Sequence, residues 1–532
     1  MTISKIKIRN YRSLSDCDVT FNSHLNIIVG DNEAGKSTLL ECISLALTGQ
    51  INGRPISMEL HPLIFSTTAT DKYLRSIHEG SPTPPPAITI EVFFDDVPEL
   101  AELRGNGNSD GADVPGVCLR IEFDDAYKSE YAEYISEPLE VRTLPVEYYH
   151  ISMQSFARKV ITARSIPITP VFVDASRITT TQGANRYVAS VVKEALPSKE
   201  QVQLALSYRK MRDAFLQDVS VRKINDDLAS KRGAVSDKLL SISLDETTRG
   251  GWESGIVPTL DGIPISMVGK GEQNTVKIRL ALERNSDAHA FLIEEPENHL
   301  SHSRLNGLLE KIIEKAGVRQ VFITTHSSFV LNKIGINNLL LFRNGKSLRL
   351  NELSSETYAY FKKLPGHDTL RLVLSARSIL VEGPSDELVV QKAFIARHGA
   401  TALERGVDII SVKSLAFKRF LEIARKLSIP TSVVTDNDGD VSSLKAKYSD
   451  FDGVSGISIL YDTDEDFQSL EAQLLKANGL ALMNRILGKS YTTETALVKF
   501  MTTPSNKTDV ALAVFETAEA VKFPEYINAA VK

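Results

Sequence analysis

The sequence predicts an α/β protein in which a phosphate-binding unit is followed by a second α/β unit, and three observations predict it. The first is Gly30-Asp31-Asn32-Glu33-Ala34-Gly35-Lys36-Ser37, set between the β-branched apolar run Leu25–Val29 and a helical pattern that begins at Ser37. The second is a pair of acidic turns far downstream, Val381-Glu382-Gly383 and Asp436-Asn437-Asp438, each following an apolar run. The third is length. A chain of 532 residues with 42% hydrophobic content exceeds what one core usually holds, so three folded units are expected.

Composition removes several classes. The three cysteines, Cys17, Cys42 and Cys118, have no CxxC or Cys/His ligand spacing, which supports neither a disulfide framework nor structural zinc and fits a reducing cytoplasm. The first residues lack an apolar signal core, and no apolar run is long enough to span a bilayer, so a soluble cytoplasmic protein without membrane partners is expected. A formal charge of -6 gives no global attraction to polyanions. Nucleic-acid binding would need local basic patches.

In chain order, the phosphate loop comes first. Backbone N–H groups from Gly30 to Gly35, with Asn32, and the positive helix end at Ser37 and Thr38 suit phosphates; Lys36 reaches the terminal ones and Ser37 offers a hydroxyl to Mg²⁺. ATP is the expected ligand. The run Ser81-Pro82-Thr83-Pro84-Pro85-Pro86 reads as a rigid connector. Two period-two segments follow, Ile88–Phe94 and residues 117–123, separated by a loop over 105–111. Residues 184–234 turn helical, with stripes through Val188, Val191 and Val192 and then Leu204, Leu206, Met211, Phe215 and Leu216. Arg209, Lys210, Arg212, Arg222, Lys223, Lys231 and Arg232 decorate them, most simply as a solvated face. Val268-Gly269-Lys270-Gly271-Glu272-Gln273-Asn274 opens a further helix through Ile278 and Leu282. Ala290-Phe291-Leu292-Ile293 reads as a buried strand delivering Glu294 and Glu295, where a Mg²⁺ contact and a water-activating base belong. Another strand-type run, 321–325, ends at His326, placed to sense a terminal phosphate.

Glu294-Glu295-Pro296-Glu297 together with Thr325-His326-Ser327 resembles the Walker B, D-loop and H-loop series of ABC-type ATPases of the SMC, RecF and OLD kind. Residues 6–14 resemble their first strand. In that resemblance residues 268–274 take the place of the ABC signature but depart from its Ser-Gly-Gly core, and no Q-loop glutamine stands out. The resemblance implies two nucleotides sandwiched between two heads, hence a homodimer or higher homo-oligomer, and a dimerisation role for the helical arm.

After 342–345, a tract ending at Leu364-Pro365-Gly366-His367-Asp368 reads as a linker, and a new domain begins near Ala376. Three strand-turn-helix units follow. Ser378-Ile379-Leu380-Val381 leads to Glu382 and a helix through Leu388, Val389, Ala393 and Phe394; residues 407–412 precede a helix with Phe417, Phe420 and Leu421; residues 430–435 deliver Asp436-Asn437-Asp438-Gly439-Asp440. Carboxylates at the carboxyl ends of neighbouring strands converge in one crevice, so Glu382, Asp436 and Asp438 are placed to share a metal. A calcium-type loop is the competing reading of 436–440.

The glutamate after a first strand and the DxD after a later one resemble a Toprim domain, and Toprim behind an ABC-type head is the arrangement of OLD nucleases, with their Gabija relatives. The resemblance implies Mg²⁺ or Mn²⁺ on hard oxygen ligands polarising a phosphodiester. It brings in Asp386 one helical turn beyond Glu382, Glu471 as a further ligand, and Lys507 as the cation that neutralises transition-state charge. The expected domains are 1–160 and 246–372 for the ATPase, 161–245 for the dimerisation insertion and 373–532 for Toprim. The implied activity is ATP-regulated DNA endonuclease in anti-phage defence, with room for a separately encoded defence partner. A non-cleaving nucleotide-dependent scaffold of the RecF or SMC type is the rival. Lys418, Arg419, Arg425 and Lys426 share one helix and are candidates for sequence-independent contact with a DNA backbone.

Overall fold

The computed structural model describes residues 1–174, 197–230, 240–243, 259–284, 287–327, 336–363, 367–412 and 416–532. The chain forms two compact units, one from residues 3–167 and 324–532, the other from residues 168–323.

The first unit opens with strands Ile3–Tyr11 (β1), Leu14–Thr20 (β2) and Leu25–Val29 (β3), then helix Lys36–Thr48 (α1). Every residue of β3 is buried, as its unbroken apolar run predicts. Strands Ile88–Phe94 (β4), Val114–Phe123 (β5) and Tyr149–Ser155 (β6) complete an antiparallel sheet in which β1 lies between β2 and β4, and β5 between β4 and β6. The expected loop after residue 104 starts instead with a short ladder, Arg104–Gly105 against Val114 and Pro115. The proline run at 82–86 has no regular structure, since its four prolines lack backbone donors; the Thr83 N–H donates to Ser76 Oγ at 2.9 Å.

The second unit pairs Pro170–Asp174 (β7) in parallel with Ala290–Glu294 (β8). Between them lie helices Ser198–Gln217 (α2), Val219–Ser230 (α3) and Lys270–Arg284 (α4), and after them His302–Ala316 (α5) and Gln320–Thr325 (β9). The stripe on α2 is not covered: no residue of α2 is buried, and Leu206, Met211 and Phe215 are exposed. The part of the expected arm at 184–196, with Val188, Val191 and Val192, and Lys231 and Arg232 lie outside the described residues.

Strands Leu339–Arg343 (β10) and Lys346–Arg349 (β11) return to the first unit, β10 pairing parallel with β3 and antiparallel with β11. The tract read as a linker is folded over most of its described length, in helices Ser355–Lys363 (α6) and His367–Leu374 (α7); residues 364–366 lie outside the described residues. Leu348, Leu350, Leu353 and Phe361 are buried there. Their irregular spacing matches neither a helix nor a strand period, so the sequence hides a segment that packs.

The carboxy-terminal α/β domain is a four-stranded parallel sheet of Arg377–Val381 (β12), Val407–Ser411 (β13), Thr431–Val434 (β14) and Ile457–Leu460 (β15), in the order β13-β12-β14-β15. Its helices are Pro384–His398 (α8), Phe417–Leu427 (α9), Val441–Tyr448 (α10), Leu470–Leu487 (α11), Glu494–Met501 (α12), Lys507–Glu516 (α13) and Glu525–Ala530 (α14). Ile379, Val381, Phe394, Leu474, Met483 and Ile527 belong to one buried cluster there. Each such side chain contributes about 1.5–3 kcal/mol by leaving water.

Three of the four basic residues on α9 also have neighbours within the protein, with Arg419 half-buried and Arg425 and Lys426 exposed. Arg419 stacks 4.4 Å from the Tyr360 ring, Arg425 lies 5.5 Å from Phe451, and Lys426 donates to the Glu352 carbonyl at 3.0 Å. Their cations pack against the 350–361 segment and the neighbouring turn.

Candidate functional site

The phosphate loop sits where β3 hands over to α1. Gly35 caps the helix in left-handed conformation (φ 94°), and Asn32 and Ser37 are exposed while Thr38 is half-buried. Lys36 is only 4% exposed, and its Nζ donates to the Gly30 and Asp31 carbonyls at 2.8 Å each. A phosphate is a stronger, charged acceptor for the same ammonium. Gly30 has no room for a side chain: a Cβ there would stand 2.1 Å from the Phe342 backbone oxygen on β10. Gly30→Ala is therefore expected to displace the loop at a cost of about 1–3 kcal/mol. Thermal melting should show a lowered Tm and little further rise with MgATP; an undiminished ATP-dependent rise would count against a loop set by this contact.

In the second unit, Glu294 ends β8 and is half-buried, and Glu295 follows in left-handed backbone (φ 40°), accepting from Asn298 Nδ2 at 3.1 Å. The atypical signature segment begins α4. There Gln273 and Asn274 are buried, donating to the Val268 carbonyl at 2.8 Å and the Asn298 carbonyl at 2.9 Å. Although the segment lacks the Ser-Gly-Gly core, Asn274 links it to the turn after Glu295. His326 is exposed just beyond β9, and Thr325 Oγ1 accepts from Ser327 N at 3.0 Å. The phosphate loop and His326 belong to the first compact unit, Glu294 and Glu295 to the second.

The carboxy-terminal carboxylates gather at the ends of parallel strands. Val381 of β12 is in register with Val434 of β14, which sets Glu382 beside Thr435 and Asp436. Glu382 Oε1 accepts from Thr435 Oγ1 at 2.6 Å and from Asp436 N at 3.1 Å. Asp386, in the first turn of α8, reaches back so that its Oδ2 accepts from Gly383 N at 3.0 Å. Glu471, the second residue of α11, is 3% exposed, and its Oε1 lies 3.4 Å from Lys507 Nζ at the start of α13. Glu471 Oε2 is buried and has no hydrogen-bond partner.

Electrostatics ties these groups into one cluster. Loss of hydration, then the charges of Glu382 and Glu471, push the Asp386 carboxyl up to about 7. Loss of hydration, then Asp386, Glu382 and Glu471, push Asp436 up to about 8, against the lowering effect of Lys507. Both therefore keep protons in the folded protein that the unfolded chain releases near its ordinary value of 3.8. The folded state binds more protons across that window, so stability falls as pH rises from about 4 through 7 to 8. A divalent cation takes only ionised carboxylates, so its stabilising effect grows with pH. Urea denaturation between about pH 5 and about pH 9, with and without Mn²⁺, checks this. A metal-free stability that stays flat over the window would contradict the crowding.

Asp438 has a different setting from its partner in the motif: it is exposed, in left-handed conformation (φ 49°). Loss of hydration, then the charges of Glu382 and Asp438, raise the buried Tyr448 hydroxyl. Asp440 is a helix cap. Its oxygens accept from Ser443 N at 2.9 Å, Ser442 Oγ at 2.7 Å and Ser443 Oγ at 2.6 Å, which hold its carboxyl down to about 2 and leave a calcium-type loop without support. Sequence reading passed over three supporting residues. Thr435 fixes Glu382; Asn437 is buried and donates to the Asp462 and Asp464 carbonyls at 3.0 and 2.8 Å; the Tyr526 hydroxyl donates to Gln473 Oε1. Asn437, lying inside the quoted acidic motif, was the one legible signal.

Among the described residues, no three His, Cys, Asp or Glu side chains form a ready-made metal-ligating group. The donor chemistry nonetheless fits a hard divalent cation. The cluster offers carboxylate oxygens, one of them the buried, unpartnered Glu471 Oε2, and mutual repulsion that a cation would relieve. No described helix is long and apolar enough to cross a membrane.

Comparison with known proteins gives the same architecture. The family description "Overcoming lysogenization defect protein-like, TOPRIM domain" matches residues 374–438, and AAA domain descriptions match residues 5–104 and 211–332. Endonuclease GajA of Bacillus cereus (strain VD045) is 21% identical over 462 residues, covering 82% of this chain and 75% of that protein. The DNA replication and repair protein RecF of Halothermothrix orenii is 23% identical over 395 residues, covering 66% of this chain and 100% of its own. An SMC head domain from Thermotoga maritima superposes with a TM-score of 0.28 at 11% identity, over 65% of this chain and 97% of that one. The chain is an α/β protein with a P-loop ATPase head, a helical insertion and a separate OLD-like Toprim domain, consistent with the OLD and Gabija-like nuclease-ATPases. Its ATPase domains imply nucleotide binding.

Proposed function

We propose that this chain, an OLD-like Toprim domain joined to AAA and ABC-type ATPase domains, acts on DNA under the control of bound ATP. In its broader form the proposal is a nucleotide-dependent DNA- or partner-binding protein of the RecF and SMC type. That form has the wider support, because the RecF relative is matched along its whole length and no ready-made metal-ligating group stands among the described residues.

The finer form adds phosphodiester cleavage, and one observation carries it: Glu382, Asp386, Asp436 and Glu471 crowd together at the strand ends with Lys507 beside them. Glu382, Asp386, Asp436, Asp438 and Glu471 would hold Mg²⁺ or Mn²⁺, which supplies Lewis-acid polarisation of the scissile phosphate. Glu382 is kept in place by Thr435 and the Asp436 amide. Lys507, half-buried at a helix start, offers its ammonium to the charge that develops on the phosphate oxygens. The similarity to Endonuclease GajA supports this form. A role in defence against invading DNA in the cytoplasm is part of the same proposal.

In the head, Lys36, Ser37 and His326, with Gly30, Asn32, Gly35 and Thr38 shaping the loop, would hold the ATP phosphates; Glu294 and Glu295 are proposed for the Mg²⁺ contact and the water-activating role, and Ser37 and Glu294 would hold Mg²⁺. Exposed Leu206, Met211 and Phe215 on α2 support a homodimer formed through the insertion. The proposed domain limits remain 1–160 and 246–372, 161–245, and 373–532.

Supercoiled plasmid incubated with the protein and Mg²⁺ or Mn²⁺, with and without ATP, tests the proposal. Nicked or linear product is the expected result. DNA binding without product under either metal removes cleavage and leaves the binding form.

A further inference from the structure

We propose that Arg343 is a positioning residue through which the phosphate loop is tied to the strand that presents Glu382. This rests on the reading above that ATP governs the Toprim site.

Two contacts meet at this residue. On one side, β3 and β10 run parallel with Val29 opposite Leu341, and the Gly30 backbone approaches the Phe342 carbonyl too closely for any side chain. Continuing that register sets Asp31 of the phosphate loop opposite Arg343. On the other side, the half-buried Arg343 guanidinium donates to the Ser375 carbonyl at 2.5 Å, the Ala376 carbonyl at 2.9 Å and, more weakly, the Val373 carbonyl at 3.4 Å. These carbonyls lead directly into β12. Ser375 Oγ is also 2.5 Å from Ser378 Oγ inside that strand.

The rest of the path is rigid. Residues 378–381 are fully buried, and β12 is hydrogen-bonded on both sides, to β13 and β14. A strand so enclosed shifts as a body, carrying Glu382 with it. The loop end of the path responds to nucleotide because Lys36 donates to the Gly30 and Asp31 carbonyls, and phosphate competes for that ammonium. When Lys36 turns to phosphate, Asp31 and its neighbour Arg343 lose a fixed reference, and the clamp on residues 375 and 376 is reset.

Hydrogen-deuterium exchange on the full-length protein, with and without the non-hydrolysable analogue AMP-PNP and Mg²⁺, provides the test. In the wild type, exchange over residues 377–386 should change several-fold on adding nucleotide. In Arg343→Met that response should vanish while affinity for a fluorescent ATP analogue stays within about twofold, and Arg343→Lys should restore part of it. Should Arg343→Met not fold, Asp31→Asn keeps the three carbonyl bonds, and with AMP-PNP at saturation its response should still be diminished. The proposal is overturned if residues 377–386 ignore nucleotide in the wild type, or if Arg343→Met, or Asp31→Asn in its place, responds like the wild type. Exchange needs no DNA cleavage, so a protein that couples but never nicks overturns the cleavage reading alone.

Discussion

Glu382→Gln is expected to abolish metal-dependent cleavage, by on the order of a thousandfold, while leaving the fold and DNA binding in place. The substitution keeps an oxygen acceptor for Thr435 Oγ1 and the Asp436 amide, which anchor Glu382 in the folded protein. What it removes is one negative charge from a crowded cluster. The two consequences run in opposite directions. Metal affinity falls, because a hard cation loses an anionic ligand. The Asp386 and Asp436 carboxyls, raised in part by Glu382, relax downward, so metal-free stability near neutral pH rises. A plasmid-nicking time course beside a thermal melt reads both effects. Undiminished nicking by the variant would remove this site from catalysis, and an unchanged melt would show that the cluster does not strain the fold. Lys507→Met offers a second view, with a loss of roughly 10²- to 10³-fold and DNA binding retained, because the lysine acts on charge that develops only during cleavage.

Lys36→Ala is expected to weaken ATP binding roughly ten- to hundredfold, the value of a charge-assisted hydrogen bond to phosphate, and to take hydrolysis below detection. The same change removes the donor to the Gly30 and Asp31 carbonyls, so the loop loses an internal support as well as a ligand contact. Titration with a fluorescent ATP analogue measures the first effect. Wild-type affinity in the variant would mean that the phosphates lie elsewhere. Because Lys36 is distant in sequence from the carboxylates, comparing the variant's nicking with and without ATP also isolates what the nucleotide contributes to the Toprim site.

The legible part of this protein consists of strand ends. A buried apolar run followed by glycine or acid announces where the backbone leaves a sheet, and β3, β8, β12 and β14 each end within two residues of the predicted turn. Such turns are local, fixed by the change from alternating or continuous apolar residues to turn formers. The segment at 346–374 was illegible for the converse reason, since its buried leucines follow the shape of the surfaces they fill rather than a helical or strand period. The intramolecular neighbours of the basic residues on α9 were illegible for a related reason: a cation looks the same in sequence whether it meets solvent, a phosphate or an aromatic ring.

The sequence by itself determined the α/β class, the phosphate loop and the identity of the acidic turns, because each depends on residues adjacent along the chain. Only the tertiary structure decided which carboxylates lie together. The parallel register of β12 and β14 brings Glu382 against Asp436, and the packing of α11 and α13 sets Glu471 beside Lys507. It also gave Asp438 and Asp436, which the motif presents as equals, different settings, with Asp438 exposed in left-handed backbone and Asp436 half-buried. The physical reason is that charge crowding and loss of hydration are sums over neighbours from several elements, and no stretch of chain carries those sums by itself.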